Sequence, residues 1–206
     1  MALQNRVTPA GDIVAVSSRG TLMGNRGKLH NEKKEIVSLS KIKGWVTCKL
    51  EFKSRKRILM SPDKYTELFF LDEATAFSAG HRPCAECRRA RYNEFKEKWL
   101  EANDYLLDGQ SAAIANIDKI IHQQRLNNKK KVTFQDELSN LPDGTMFLNQ
   151  DSYYIIWKNE VYRWGFEGYM KSNLVIDNTS VDVLTPKSYV EMFIKGFVPE
   201  VHPSLA

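Results

Sequence analysis

The residues of this chain with the clearest chemical potential are three cysteines and one histidine grouped around a short segment. His81, Cys84 and Cys87 form a His-x-x-Cys-x-x-Cys run, and Cys48 lies 36 residues before Cys84. Thiolates are strong ligands for Zn²⁺, and a Cys-x-x-Cys turn can supply two of the four tetrahedral positions. These four residues therefore predict a zinc site with three cysteine ligands and one histidine ligand.

Two other interpretations of Cys84 and Cys87 stay open, a redox-active pair and a pair of inert buried thiols. A redox Cys-x-x-Cys motif usually accompanies a βαβ pattern, and its reactivity depends on a lowered thiol pKa. No βαβ pattern precedes Cys84, which favours the metal site. The fourth ligand also has alternatives to His81, namely His122, His30 or water, although the polar segment around His30 favours a solvent-facing side chain.

Four arginines accompany the cysteines: Arg82, Arg88, Arg89 and Arg91. Arginine is unfavourable beside the positive N-terminus of a helix, so an anionic neighbour such as a zinc–thiolate centre or a phosphate would relieve this arrangement. The four side chains are therefore candidates for binding nucleic-acid phosphates. The alternative is a solvated basic face.

Asp118 and His122 are the candidate catalytic pair. On a predicted helix the two residues are one turn apart and face the same side. This spacing lets Asp118 orient His122, as the carboxylate partner of a general base or of a metal-binding imidazole does. The alternative is hydrogen bonding without catalysis.

A glycine-rich segment at 19–27 is a further candidate for binding an anion. Its glycines allow close backbone approach to a phosphate, and Arg19 and Arg26 add positive charge. The spacing matches no nucleotide-binding motif. A structured turn is the preferred interpretation.

The elements that must position these residues follow from apolar patterning. Strands are predicted at 12–16, 45–52, 55–60 and 65–70, with Cys48 on the inward face of the second. A short helix is predicted at 71–80, ended by Gly80, and a long helix from about Cys84 to Asn103. Later elements are a helix at 111–127 capped by Ser111, a basic linker at 127–132, strands at 146–148, 153–157, 161–164 and 181–184, and a helix at 187–195.

This pattern predicts an α+β protein. Residues 1–104 would form a zinc-bearing β/α module, and residues 105–206 a helix with a small β-rich unit, although one compact domain is also possible. The 206 residues are 42% hydrophobic and 27% charged, with a net charge of +5, which is typical of an ordinary soluble protein. The absence of a long apolar run and of a secretory signal, together with three cysteines, predicts a cytoplasmic protein without a membrane span.

The segment 69–88 resembles the second half of the metal-binding domain of the Ada DNA-repair family. The shared features are an aromatic strand, a short helix and a turn, which reads Ala-Gly-His-Arg-Pro-Cys-Ala-Glu-Cys at 79–87 here and Ala-Gly-Phe-Arg-Pro-Cys-x-x-Cys in the family. In that family the turn supplies two of four zinc cysteines, and an upstream Cys-x-x-x-Cys supplies two more, one of which accepts a methyl group from a methylated DNA phosphate. The resemblance covers residues 48–87.

This chain departs from the family at two positions. Phe52 stands where the second upstream cysteine would be, and His81 stands where the family usually has phenylalanine. The resemblance therefore implies a related zinc-bearing fold with a changed ligand set. The expected function is a zinc-containing, DNA-directed nucleic-acid-binding protein whose metal is mainly structural. The alternatives are a zinc-dependent hydrolase or nuclease that uses Asp118 and His122, and an interaction module with structural zinc.

Overall fold

A computed structural model describes residues 2–54 and 58–205 and confirms the predicted α+β class. Within these ranges there are four α-helices, two six-stranded sheets and a two-stranded ribbon. None of the helices in this part of the chain combines the length and the hydropathy needed to cross a bilayer.

The N-terminal sheet has the strand order β2-β1-β5-β3-β4-β6. Two pairs, β1 with β5 and β4 with β6, are parallel, and the other neighbours are antiparallel. The strands are β1 (Gln4–Val7), β2 (Ile13–Ala15), β3 (Leu22–Asn25), β4 (Val46–Lys49), β5 (Leu68–Phe70) and β6 (Arg82–Pro83).

Helix α1 (Glu73–Ser78) lies within the helix predicted at 71–80, and Gly80 follows its end as predicted. Asp72 caps its first turn by accepting hydrogen bonds from the backbone N–H and the hydroxyl of Thr75. Gly80 follows the helix with a φ of +85°, a conformation that favours glycine. The chain then enters the segment that carries His81 and the two later cysteines.

Helix α2 (Arg89–Asn103) begins five residues later than the sequence predicts. Residues 84–88 form a separate turn, closed by a hydrogen bond from the Arg88 N–H to the Cys84 carbonyl. Phe95 and Trp99 are completely buried on the apolar side of the helix. These two side chains therefore form core contacts, while Cys84 and Cys87 lie outside the helix.

The second half of the chain begins with helix α3 (Ile114–Arg125), whose Ile117 and Ile121 are fully buried. Ala113 occupies the N-cap position, so the predicted cap at Ser111 is wrong. The predicted basic linker at 127–132 is instead a ribbon of β7 (Leu126–Asn127) and β8 (Lys130–Lys131).

The C-terminal sheet has the strand order β13-β12-β11-β10-β14-β9 and is antiparallel throughout. The strands predicted at 153–157 and 161–164 are confirmed and pair as a hairpin, with Lys158 and Asn159 in the left-handed conformation at the turn. Helix α4 (Lys187–Ile194) follows. The strands are β9 (Phe134–Glu137), β10 (Met146–Asn149), β11 (Ser152–Trp157), β12 (Glu160–Gly165), β13 (Gly168–Lys171) and β14 (Ser180–Val183).

Two hydrophobic clusters contain residues from both predicted units. Phe77 and Trp99 pack with Ile117 and Tyr189 in one cluster. The other joins Leu71 and Ala74 of the first unit to Met146, Ile155, Trp157 and Trp164 of the C-terminal sheet. The domain boundary at residue 104 stays a prediction. Residues before and after it contribute to the same two hydrophobic clusters.

Three local predictions need correction. The predicted turn at 19–27 contains strand β3, and the strand predicted at 45–52 ends at Lys49. On the face of this strand opposite to the half-buried Cys48, Thr47 is almost completely buried, and its hydroxyl is bonded to Arg88 and to the Arg82 carbonyl. The strand predicted at 55–60 lies partly outside the described residues, and residues 58–60 are not in a strand.

Candidate metal centre

The parallel pairing of β4 with β6 brings Cys48 beside Cys84. In this pairing Val46 lies opposite Arg82 and Thr47 opposite Pro83. The Cys84 N–H continues the ladder by donating to the Thr47 carbonyl at 2.9 Å. The next residue of each strand, Cys48 and Cys84, therefore comes to the same place at the end of the sheet.

The turn at 84–88 brings the third cysteine to the same point. The Arg88 N–H donates to the Cys84 carbonyl, and the Glu86 N–H donates to the Cys84 sulfur at 3.4 Å. This folds Cys87 back towards Cys84, as a metal-binding Cys-x-x-Cys turn requires. Cys87 is buried, while Cys48 and Cys84 are half-buried.

The three sulfur atoms all lie within 4.8 Å of one another, and all three cysteines are free thiols. Zinc–sulfur bonds of about 2.3 Å in a tetrahedron place sulfur atoms roughly 3.8 Å apart. The three cysteines therefore fit one tetrahedral metal ion with only small movements. In the described part of the chain no fourth histidine, cysteine or carboxylate belongs to this group.

The three cysteine thiols differ in pKa. A hydrogen bond from Cys48, with backbone N–H groups of Cys87 and Glu86, lowers the pKa of Cys84 to about 5, although burial acts against it. Donating that hydrogen bond raises the pKa of Cys48 far above its usual value, and burial adds to this effect. Burial also raises the pKa of Cys87. A metal ion would hold all three as thiolates, so binding releases protons.

The structure does not bring His81 to the cysteine group. Its imidazole is fully buried between aromatic side chains, with ring centroids 4.6 Å from Phe70 and 5.1 Å from Trp45. Its Nε2 accepts a hydrogen bond from Arg26 Nε at 3.2 Å, which places the proton on Nδ1. His81 is thus part of the core beneath the sheet.

The reason is the extended backbone between His81 and Cys84. Successive side chains of a strand point to opposite faces, so residues three positions apart lie on opposite sides. Arg82 and Pro83 form strand β6. The His-x-x-Cys spacing predicts His81 as a ligand only if these residues form a turn. In the extended strand the side chains of His81 and Cys84 point to opposite faces.

Acidification should reveal the buried state of His81. Burial, Arg26 and Arg125 hold the pKa of His81 well below its ordinary value of 6.5. Below pH 6.5 the imidazole of His81 is protonated in the unfolded chain but stays neutral in the folded protein. The free energy of unfolding is therefore highest above pH 6.5 and decreases as the pH falls, by up to about 1.4 kcal/mol per pH unit. We expect urea denaturation of His81→Gln to depend less on pH between 6.5 and 5 than that of the wild type. Equal slopes would contradict a depressed pKa.

His30 also lies away from the cysteine group, and the prediction that it faces solvent is wrong. It is 2% exposed. Its Nδ1 lies 2.6 Å from the Thr66 hydroxyl and its Nε2 lies 3.2 Å from the Ser61 carbonyl. Both ring nitrogens are therefore engaged in hydrogen bonds that hold the 58–66 segment.

Three of the four candidate nucleic-acid-binding arginines are engaged within the protein. Arg82 binds Asp118 through two hydrogen bonds of 2.7 Å. Arg88 contacts Glu73 and Glu200, and Arg91 contacts Glu73 and Glu94. Arg89 differs, since it is exposed at the first position of α2.

The structure separates the functions predicted for Asp118 and His122. Both carboxylate oxygens of Asp118 bind Arg82, and His122 Nδ1 instead lies 3.1 Å from Arg125 Nη2. Burial, Arg125 and Lys43 lower the pKa of His122. His122 therefore has a cationic neighbour where the prediction placed a carboxylate.

The sequence predicts Arg26 as a candidate for binding an anion but not its grouping with Arg125 and Lys131. The two arginines are buried and Lys131 is half-buried. Their neighbours come from distant parts of the chain, as in the contact of Arg125 with the Gly80 carbonyl. Gly80 is a local sign of this packing, and the structure shows its reason: a Cβ there would lie 2.4 Å from Arg125 Cδ. A glycine that ends a helix can also be needed for close packing.

Comparisons of the chain with models of protein families, with curated proteins and with solved structures found no match. The resemblance of residues 69–88 to the Ada metal-binding domain therefore stays a prediction.

Proposed function

We propose that the protein is a zinc-containing nucleic-acid-binding protein whose metal ion is mainly structural. The observation that carries the proposal is the convergence of the Cys48, Cys84 and Cys87 sulfur atoms within 4.8 Å of one another. Thiolate-rich sites favour zinc among the common divalent ions. The ion would join β4 to the turn before α2, with water or a ligand in its fourth position.

The nucleic-acid contact is proposed at the exposed cations around this centre. Lys49 follows Cys48 directly, and Arg89 comes two residues after Cys87; both are exposed. The Lys53 side chain is 65% exposed, with Glu86 3.8 Å away. Such side chains attract phosphates without reading sequence. The net charge of +5 supports the same partner.

The hydrolase alternative receives less support from the geometry. Asp118 is neutralised by Arg82, so it does not orient His122 as a general base. Three protein ligands leave a fourth position for water, as in catalytic zinc sites. Three thiolates would, however, more than neutralise the charge of a divalent ion, which weakens its ability to activate water. The structural role is therefore preferred.

Fluorescence anisotropy with a labelled DNA duplex tests the proposed binding. We expect binding that weakens with salt, with a log–log slope of about −0.9 for each phosphate contact. Arg89→Gln should reduce the magnitude of this slope by about one. Lys195→Gln is the matched control, since Lys195 is exposed at the far end of α4.

Absence of binding at low salt would overturn the nucleic-acid proposal. If the purified protein nevertheless retained one zinc per chain, the interaction-module alternative would take its place. If Arg89→Gln and Lys195→Gln weakened DNA binding equally, the nucleic-acid contact would not be at the metal centre.

A further inference from the structure

Three cations lie near Trp45, the buried Arg26 and Arg125 and the half-buried Lys131, and none has a carboxylate of the described residues within ion-pair distance. Arg26 and Arg125 are 1% and 2% exposed, and both guanidinium groups lie over the Trp45 ring, at 4.1 and 3.8 Å from its centroid. Lys131 donates to the Ser78 carbonyl. Across the described residues, no ion pair involves any of the three. Unpaired buried charges are costly.

Two of these groups also have unused hydrogen-bond donors. Arg26 Nη2 and Arg125 Nε are buried without a partner. The positive charges destabilise one another: burial, Arg26 and Arg125 lower the pKa of Lys131 to about 7, and burial with Arg125 lowers that of Arg26 to about 9. The fold thus retains donors and positive charge that its own residues do not use.

A small cavity of about 40 Å³ lies against this group. Arg26, Lys129 and Lys131 line it, together with one carboxylate, Asp12. The unpartnered Arg26 Nη2 is beside Gly11, another lining residue, where a Cβ would lie 3.6 Å from it. At roughly 10–15 Å³ for each water-sized group, the cavity has room for about three oxygen atoms.

A larger groove of about 720 Å³ shares Leu39, Leu126 and Lys129 with the cavity. Among its described lining residues, Lys41, Lys43 and Lys129 are basic and none is acidic. The rest of its surface is mainly apolar, from the segment 36–42. A site of this size, with apolar walls and few polar groups, is typical for small molecules.

We infer that the cavity beside Arg26 and Lys131 binds the phosphate of a small molecule, and that the adjoining groove holds the organic part. Arg26 and Lys131 on the cavity wall, and Lys129 where the cavity meets the groove, would supply charge-assisted hydrogen bonds to an oxyanion. The single carboxylate at Asp12 leaves the lining net positive. Inorganic phosphate and a phosphate monoester share this chemistry.

Isothermal titration with inorganic phosphate, adenosine monophosphate and adenosine tests the inference on the full chain. We expect saturable phosphate binding that Lys131→Met weakens by at least about tenfold. Lys131→Met should unfold at the same temperature or a higher one without phosphate, because a half-buried charge without an ion-pair partner is removed. Lys129→Gln, at the exposed mouth, should also weaken binding, whereas the neighbouring exposed Lys130→Gln should not.

The two phosphate probes separate the possible sources. Tighter binding of adenosine monophosphate than of phosphate, with no binding of adenosine, identifies a monoester; equal affinities identify the inorganic ion. The inference would be overturned if neither inorganic phosphate nor adenosine monophosphate saturated the wild type at millimolar concentrations. An equal loss in Lys130→Gln and Lys129→Gln would also overturn it, since the effect would then come from overall charge.

Discussion

Replacing Cys84 with serine should remove zinc from the protein and destabilise the end of the N-terminal sheet. Cys84 connects the other two candidate ligands, since it pairs with the β4 end at Thr47 and begins the turn to Cys87. Loss of a residue that merely supports a ligand costs about 10–100-fold in metal affinity, so loss of the ligand itself should cost at least about 100-fold. Metal content by mass spectrometry and a chelator competition give the measurement.

The matched control is His81→Gln. His81 is a ligand in the sequence prediction and a core residue in the structure, where Arg26 bonds to it. Glutamine keeps a hydrogen-bond acceptor, so this variant should retain one zinc per chain. If folded His81→Gln lost zinc, the predicted ligand set with His81 would be correct. If Cys84→Ser retained zinc at unchanged affinity, the three cysteines would not form the zinc site.

Asp118→Ala should be among the most destabilising single substitutions outside the metal centre. The Arg82 and Asp118 side chains are each only 9% exposed, and their bidentate contact joins β6 to α3. Burial alone lowers the pKa of Arg82, but Asp118 outweighs it and holds that pKa above its ordinary value. Removing one partner of a buried pair costs about 3–5 kcal/mol because the other charge is left unpaired. Urea denaturation followed by circular dichroism measures the change.

Two further variants show whether the loss comes from the unpaired charge. Glu101→Ala breaks the exposed pair with Lys98 and should cost less than about 1 kcal/mol. The double variant Arg82→Met, Asp118→Leu removes both charges and should recover most of the lost stability. If Asp118→Ala costs no more than Glu101→Ala, the buried pair does not stabilise the fold.

Much of the helical structure could be predicted because its signals are local. The Asp72 cap and Gly80 mark the ends of α1, and the spacing of Phe95 and Trp99 marks the buried side of α2. Strand β3 was missed because Gly24 was interpreted as a turn residue. In the structure that glycine lets the Phe70 ring approach, since a Cβ would lie 2.3 Å from Phe70 Cε2.

The candidate site could be predicted only in part. The Cys-x-x-Cys spacing is sufficient to group Cys84 with Cys87, and strand patterning placed Cys48 within reach. The partners of the arginines were not predictable, because Glu200 lies 112 positions from Arg88 and Asp118 lies 36 from Arg82. Side-chain charge gave no information about whether a phosphate or a distant carboxylate neutralises each guanidinium.

The meeting of Cys48 and Cys84 at the ends of two parallel strands would also make a bound metal ion a reversible cross-link. It would close a loop of 36 positions along the chain. A covalent cross-link across a loop of this length reduces the entropy of the unfolded chain by an amount equivalent to about 4 kcal/mol. If zinc stays bound to these thiolates while the rest of the chain is open, the strands need not find each other by diffusion. Free zinc concentration would then control how fast the protein refolds as well as how stable it is.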